Sequence, residues 1–237
     1  MDDNDIPPAR DLDADGTWRR GAAGRPGFDI VVVAASLGGP NAVATVLGGL
    51  PRDFPAAVVI AQHRADGHPS YLAGQLQRRT SLPVVDARHE APVLPGAVYV
   101  APAGQHLLLR PDRSFALSLA ERHQYARPSA DLLFASAAEC YRERAIAVVL
   151  TGRLQDGSAG AWAVKALSGR VLAQDPATCE APDMPSAAIR SGCVDFVVPL
   201  DRIANVLVAL TMSHGAPALF RVPAAASLAR ARHLWTA

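Results

Sequence analysis

Three side chains that can do chemistry together each follow an apolar run of the sequence. Ser36 follows the run IVVVAA, His63 follows AVVIAQ, and Asp156 lies in a glycine-flanked stretch just after AIAVVLT. A serine hydroxyl becomes an effective nucleophile when an imidazole takes its proton, and the imidazole needs an acceptor on its other nitrogen. We therefore predict nucleophilic catalysis, with Ser36 as nucleophile, His63 as base and Asp156 as the residue that orients His63.

Each of these residues also has a purely structural interpretation. The glycines and proline of SLGGPN fit a sharp turn into a helix, whose first N–H groups favour a negative charge such as a phosphate. A dinucleotide site would require G-x-G-x-x-G, which this stretch lacks. His63 alone is compatible with a polar strand end, and Asp156 alone with a turn or a helix cap. The combination of the three favours catalysis.

The elements that position these residues follow from the apolar pattern. Continuous apolar runs of strand length predict buried parallel strands at 30–35, 57–62, 145–151 and 171–174. Helices are predicted at 41–50, 71–79, 130–144, 158–168, 185–191 and 201–212. The alternation predicts an α/β fold with a doubly wound, mostly parallel sheet flanked by helices. Residues 96–121 predict an appended antiparallel hairpin.

Parallel strands place their carboxyl ends at one edge of a sheet, where open α/β sheets bind ligands. We therefore expect Ser36, His63 and Asp156 to meet there. The chain order of serine, histidine and aspartate differs from the serine, aspartate, histidine order of α/β-hydrolases, which argues against an ordinary lipase or esterase fold.

The composition excludes several other classes. The chain has 237 residues, 23 basic and 22 acidic, so it carries no broad field suited to nucleic acid. Its three cysteines lack metal or disulfide spacing and are expected to be reduced thiols, and no metal or cofactor is predicted. An acidic N-terminus and the lack of an apolar run of about 18 residues predict a cytoplasmic protein without membrane insertion. We expect a disordered leader at 1–27, a catalytic domain at 28–212 and a tail at 213–237.

Several separated motifs resemble those of the bacterial chemotaxis protein-glutamate methylesterases, the CheB catalytic domain. They are AASLGGP, VVIAQHRADG, GAVYVAPAGQHLLL, RPSADLLFASAA, AVVLTGRLQDGSAG and AQDPATCEAPDMPSAAIRSGCVDFVVPL, in that order. The resemblance implies hydrolysis of γ-glutamyl methyl esters on the cytoplasmic helices of a chemoreceptor, with release of methanol, and deamidation of selected glutamines. It implies Ser36, His63 and Asp156 as the catalytic residues, with backbone N–H groups near Leu37 and Arg153 stabilising the oxyanion.

The chain departs from the family pattern at several positions. Leu37 stands where a threonine is common, Arg64 replaces a methionine, and Arg153 and Leu154 replace Met-Gly. If the glycine position requires a positive φ, Leu154 strains the loop that carries Asp156. Arg64, Arg127 and Arg153 are expected in loops around the site, where they would either attract an acidic surface or remain solvated.

Two alternatives stay open at this stage. One is a hydrolase of the same mechanism that acts on another protein ester or amide, and the other is a non-catalytic interaction module that keeps the fold. Well-known members of the family carry a receiver domain before the catalytic domain, and here only 27 residues precede Phe28. We therefore expect a stand-alone form, whose control would come from a separate regulator or be absent.

Overall fold

The computed structural model describes residues 27–64, 71–123 and 126–212. The strands in these ranges are β1 (Ile30–Ala35), β2 (Ala57–Gln62), β3 (Val84–Asp86), β4 (Val98–Val100), β5 (His106–Leu109), β6 (Phe115–Ser118), β7 (Ala145–Val149), β8 (Arg170–Gln174) and β9 (Phe196–Val198). The α-helices are α1 (Gly39–Gly48), α2 (Leu72–Gln77), α3 (Ala130–Tyr141), α4 (Ser158–Ala166), α5 (Asp183–Arg190) and α6 (Ile203–Met212). Apart from Gly27, the predicted leader and tail lie outside the described residues.

Seven strands form one sheet in the order β3-β4-β2-β1-β7-β8-β9, and each pairing in it is parallel. The central strand β1 pairs with β2 on one side and β7 on the other. All six residues of β1 are buried, which is why they read as a continuous apolar run rather than an alternating one. The predicted doubly wound α/β fold is confirmed.

Helices cover both faces of the sheet. Alternate residues of β1, Val31 and Val33 among them, pack into a core with α1, α2 and α6. The intervening residues Ile30 and Val32 pack into a second core with α3, α4 and α5. No helix in the described ranges is long and apolar enough to cross a bilayer.

The predicted hairpin forms a two-stranded antiparallel sheet of its own, β5 with β6. Its apolar residues Leu107 and Phe115 are fully buried in the core that α3 shares. The preceding piece of the same stretch, β4, joins the parallel sheet instead. The short edge strands β3 and β9 were not among the predicted strands, because three residues are too few to show a period.

A buried ion pair lies at the amino-terminal end of β8. Lys165 of α4 contacts Asp195, whose side chain is 0% exposed and also accepts a hydrogen bond from Val171 N at 2.8 Å. Removing one member of such a pair leaves an uncompensated buried charge. The pair therefore fixes α4 and the segment before β9 to one end of β8.

We predict that Asp195→Ala lowers the free energy of unfolding by about 3 kcal/mol or more. Urea denaturation measures this change. The control is Asp201→Ala, because Asp201 and its partner Arg202 are both largely exposed; it should change the free energy by no more than about 0.5 kcal/mol. Equal losses in the two variants would contradict the prediction.

Candidate active site

The candidate site lies at the carboxyl ends of the three central strands. The chain passes from β1 to β2 on one side of the sheet and reaches β7 on the other, so the strand order reverses beside β1. Ser36 follows β1, His63 follows β2, and Asp156 lies in the loop between β7 and α4. Open α/β sheets bind their ligands at such a reversal.

The backbone of Ser36 continues the sheet on both sides. Its N–H donates to the Thr151 carbonyl at 3.0 Å, and its carbonyl accepts from the Gln62 side-chain amide at 2.8 Å and from Gly39 N at 2.9 Å. Gly38, with φ 76°, then turns the chain into α1. Gly38, the first residue of the Gly-Gly pair, adopts this left-handed conformation without the strain that a Cβ atom would cause. The turn leaves Ser36 partly exposed at the start of a helix.

His63 lies on the neighbouring strand end at the same level. Ala35 and Gln62 are register partners, and His63 N donates to the Ala35 carbonyl at 3.0 Å. Ser36 and His63 are therefore the next residues after a paired position on two adjacent strands, which lie about 4.8 Å apart. The Gln62 amide also donates to the His63 carbonyl at 3.0 Å, so one buried side chain holds both strand ends.

The imidazole of His63 is bound to Asp156. Its Nε2 lies 2.7 Å from Asp156 Oδ2, and the two side chains are 19% and 3% exposed. Nδ1 is therefore the ring nitrogen left to take a proton from a neighbouring hydroxyl. Among the described residues, the Ser36 hydroxyl has no hydrogen-bond partner, so it is not bonded to the ring in this structure. Hydrogen bonds between nucleophile and base commonly tighten only with substrate bound.

The Asp156 carboxylate is held at the start of α3. Oδ2 also accepts from Ala130 N at 2.6 Å, and Oδ1 accepts from the Ser129 hydroxyl and from Asp131 N, both at 3.0 Å. Ser129 is the N-cap residue of this helix. The first N–H groups of a helix lack partners within the helix and carry partial positive charge. An anion at this point is therefore stabilised.

These contacts keep Asp156 ionised. Burial alone raises the pKa of its carboxyl, but the hydrogen bonds from His63 and from the Ala130 and Asp131 N–H groups outweigh that effect and lower the pKa below its usual value. An ionised Asp156 favours the Nε2–H tautomer of His63 and stabilises the imidazolium that forms when the ring takes a proton. The arrangement suits a histidine that acts as a general base.

A second carboxylate, Asp131, extends from α3 to the start of α4. Asp131 belongs to the first turn of α3, and its Oδ1 accepts from Gly157 N at 2.9 Å and Gly160 N at 2.7 Å at the start of α4. Ser129 caps α3, so Asp131 is free of that task and binds the N–H groups at the start of the next helix instead.

The residues proposed for oxyanion binding lie beside this arrangement. Leu37 and Arg153 are exposed, and within the described ranges neither of their N–H groups donates to a protein acceptor. The Leu37 carbonyl accepts from the Thr151 hydroxyl at 3.0 Å, which ties the Ser36 turn to the end of β7. Both segments therefore present backbone donors at the same edge of the sheet.

The three arginines expected around the site differ in their surroundings. Arg64 is partly buried and donates to the Ala101 carbonyl, and burial lowers the pKa of its guanidinium although the charge of Asp86 raises it. Arg127 donates to backbone carbonyls at 3.3 and 3.4 Å. Arg153 is exposed. Of the three, Arg153 is therefore the one best placed to meet a partner surface.

A family model and a solved structure both match this chain. Residues 31–207 match the family model described as CheB methylesterase. The chain belongs to the CheB methylesterase family. A solved structure, the CheB methylesterase catalytic domain of Thermotoga maritima, superposes with a TM-score of 0.75 at 37% identity, covering 78% of this chain and 99% of that one.

Curated relatives support the same family. The protein-glutamate methylesterase FrzG of Myxococcus xanthus is 42% identical over 77% of this chain and 54% of its own length. A protein-glutamate methylesterase/protein-glutamine glutaminase of Anaeromyxobacter dehalogenans is 45% identical over 77% of this chain and 53% of its own length. The chain thus spans about half the length of these two CheB relatives.

The sequence did not reveal several residues that support the CheB site. Gln62 precedes His63 in an apolar run, and Ser129 and Asp131 flank the start of a predicted helix. Their positions were visible in the sequence, but their contacts were not. His106 gave no signal: it is fully buried, its Nδ1 accepts from Ser129 N at 3.2 Å, and its Nε2 contacts the Glu121 carbonyl. These contacts join segments far apart in the chain, which spacing alone does not show.

The loop that carries Asp156 is strained where the sequence predicts it. Leu154 has φ 67° and is 65% exposed, so its side chain gains little from burial. A left-handed conformation costs a residue with a Cβ atom about 1–2 kcal/mol. In this CheB family member the loop therefore keeps the conformation that glycine would adopt without strain.

We predict that Leu154→Gly raises the free energy of unfolding by up to about 1 kcal/mol, because relief of the left-handed strain exceeds the entropy that glycine adds to the unfolded chain. Thermal and urea denaturation measure the change. Leu119→Gly is the matched control, since Leu119 is also exposed but has no positive φ; it should be destabilising. A loss of stability in both variants would count against the strain at Leu154.

Proposed function

We propose that this chain is a protein-glutamate methylesterase that hydrolyses γ-glutamyl methyl esters on the cytoplasmic helices of chemoreceptors. The observation that carries the proposal is the hydrogen bond between His63 and the buried Asp156, formed beside the strand end that bears Ser36. Ser36 is the nucleophile, His63 the general base and acid, and Asp156 the residue that orients His63 and stabilises its charged form.

The proposed reaction has two halves. His63 Nδ1 takes the hydroxyl proton as Ser36 Oγ attacks the ester carbonyl, and the N–H groups near Leu37 and Arg153 stabilise the oxyanion. The tetrahedral intermediate collapses as His63 returns the proton to the departing methanol, which leaves a glutamyl ester on Ser36. Water then attacks this ester by the same route, so that one ester and one water give glutamate and methanol.

Deamidation of receptor glutamines follows from the same chemistry. An amide carbonyl takes the place of the ester, and His63 protonates the departing ammonia instead of methanol. The names of several relatives include protein-glutamine glutaminase, which supports this second reaction. The exposed Leu37, Arg153 and Leu154 adjoin the site and are the residues of this chain best placed to bias the choice of protein substrate.

We predict that Ser36→Ala lowers the rate of methanol release from a methyl-labelled receptor fragment by about 10⁴-fold or more, since the nucleophile is lost. Released labelled methanol is the measurement. The matched control is Ser81→Ala, because Ser81 is exposed and lies just before β3, at the opposite end of the sheet.

The outcomes separate the candidate functions. Wild-type protein that hydrolyses a generic ester but releases no methanol from receptors would favour a hydrolase of the same mechanism with another substrate. Wild-type protein that turns over neither substrate, with unchanged receptor binding in Ser36→Ala, would favour a non-catalytic module. Either result would overturn the proposal.

A second test uses the close approach of Gly152 to Ser36. A Cβ atom on Gly152 would lie 2.1 Å from Met184 Sδ and 2.7 Å from Ser36 Cβ. We predict that Gly152→Ala displaces Ser36 and lowers kcat by about 10²-fold in folded protein. Gly74→Ala is the control, since nothing lies within 4 Å of its Cβ position. A wild-type rate in Gly152→Ala would contradict the placement of Ser36.

A further inference from the structure

We propose that Asp131 is a positioning residue that fixes the Asp156–His63 pair through a reciprocal exchange of carboxylates between the starts of α3 and α4. The inference rests on the proposed esterase function for its kinetic test. Asp131 contacts neither His63 nor Ser36, so it acts through Asp156.

The two carboxylates are bound in opposite directions. Asp156 precedes α4 but accepts N–H groups at the start of α3, whereas Asp131 lies in α3 but accepts N–H groups at the start of α4. One of the donors to Asp131 is Gly157, the residue directly after Asp156. Asp131 therefore holds the backbone that follows Asp156. The start of α3, to which Asp131 belongs, holds the Asp156 side chain.

Tight packing of the two helices keeps this exchange in place. A Cβ atom on Gly160 would lie 2.6 Å from Phe134 Cβ and 2.7 Å from the Asp131 carbonyl oxygen. The backbones of α3 and α4 therefore approach as closely as a glycine allows. With this spacing, a side chain as short as aspartate reaches from one helix to the N–H groups of the other.

Asp131 also adds charge next to the pair. Its side chain is fully buried, and Oδ2 has no hydrogen-bond partner in the described part of the chain. Burial and the charge of Asp156 raise the pKa of Asp131 to about 6, although the Gly160 and Gly157 N–H groups and His123 lower it. Among the described residues, the titratable groups that act on it are Asp156 from the loop before α4 and His123 from the segment before α3, and His63 is reached through Asp156.

Two substitutions at Asp131 separate the role of its acceptor oxygen from the role of its negative charge. Asp131→Asn keeps an oxygen for the Gly157 and Gly160 N–H groups but removes the negative charge. Asp131→Ala removes the acceptor as well and leaves those N–H groups buried without it. Asp29→Asn is the matched control, because Asp29 is a partly buried carboxylate paired with Arg144 before β1, about six strand residues from the site.

We expect Asp131→Ala to lower kcat for ester hydrolysis by about 10²-fold with little change in KM, because Asp156 and His63 lose their alignment while the substrate surface is intact. Asp131→Asn should recover most of kcat. Asp131 carries its negative charge above about pH 6, and loss of that charge disfavours the imidazolium, so Asp131→Asn should also move the acidic limb of the kcat/KM profile to lower pH. Asp29→Asn should shift neither quantity.

A readout without substrate keeps the inference independent of the proposed function. The proton NMR signal of His63 Nε2–H reports the hydrogen bond to Asp156. It should shift or disappear in Asp131→Ala, be largely restored in Asp131→Asn and stay unchanged in Asp29→Asn. An unchanged His63 signal or an unchanged kcat in folded Asp131→Ala would overturn the inference. A wild-type protein with no esterase activity but the expected change in this signal would instead overturn the proposed function alone.

Discussion

The site depends on one buried carboxylate that occupies the start of a helix belonging to another part of the chain. Asp156 accepts three hydrogen bonds from the beginning of α3 and one from His63. A charge removed from water needs such partners, since an unpaired carboxylate in this position would take up a proton. The helix start thus keeps Asp156 ionised, and the ionised Asp156 sets the tautomer and orientation of His63.

The parallel sheet and the position of its functional edge follow from the sequence because both depend on local patterns. Continuous runs such as IVVVAA show that a strand is covered on both faces, and the rule for parallel strands places Ser36 and His63 at one edge. The bounds of β1 and β2 agree with the prediction residue for residue. Short edge strands such as β3 lie below the length at which a period is visible.

The support of the site does not follow from the sequence. The bond from Ser129 to Asp156 spans 27 residues and that from Gln62 to Ser36 spans 26. Each joins a side chain to a group whose position depends on the packing of helices against the sheet, so no spacing in the chain encodes it. The strain at Leu154 is an instructive exception, because a leucine in place of a glycine within a motif is visible in the sequence and the structure assigns it φ 67°.

The three central strands contribute one residue each, and the last of these lies 120 positions after the first. Neither an isolated β1–β2 unit nor an amino-terminal fragment that ends before β7 contains Asp156, the hydrogen-bond partner of His63. During synthesis, Ser36 therefore leaves the ribosome long before the groups that would activate it, and α/β folds of this size commonly pass through incompletely packed states. In such states Ser36 lacks the neighbours that the proposed mechanism requires, so the proposed reactivity of the serine depends on the pairing of β7 with β1.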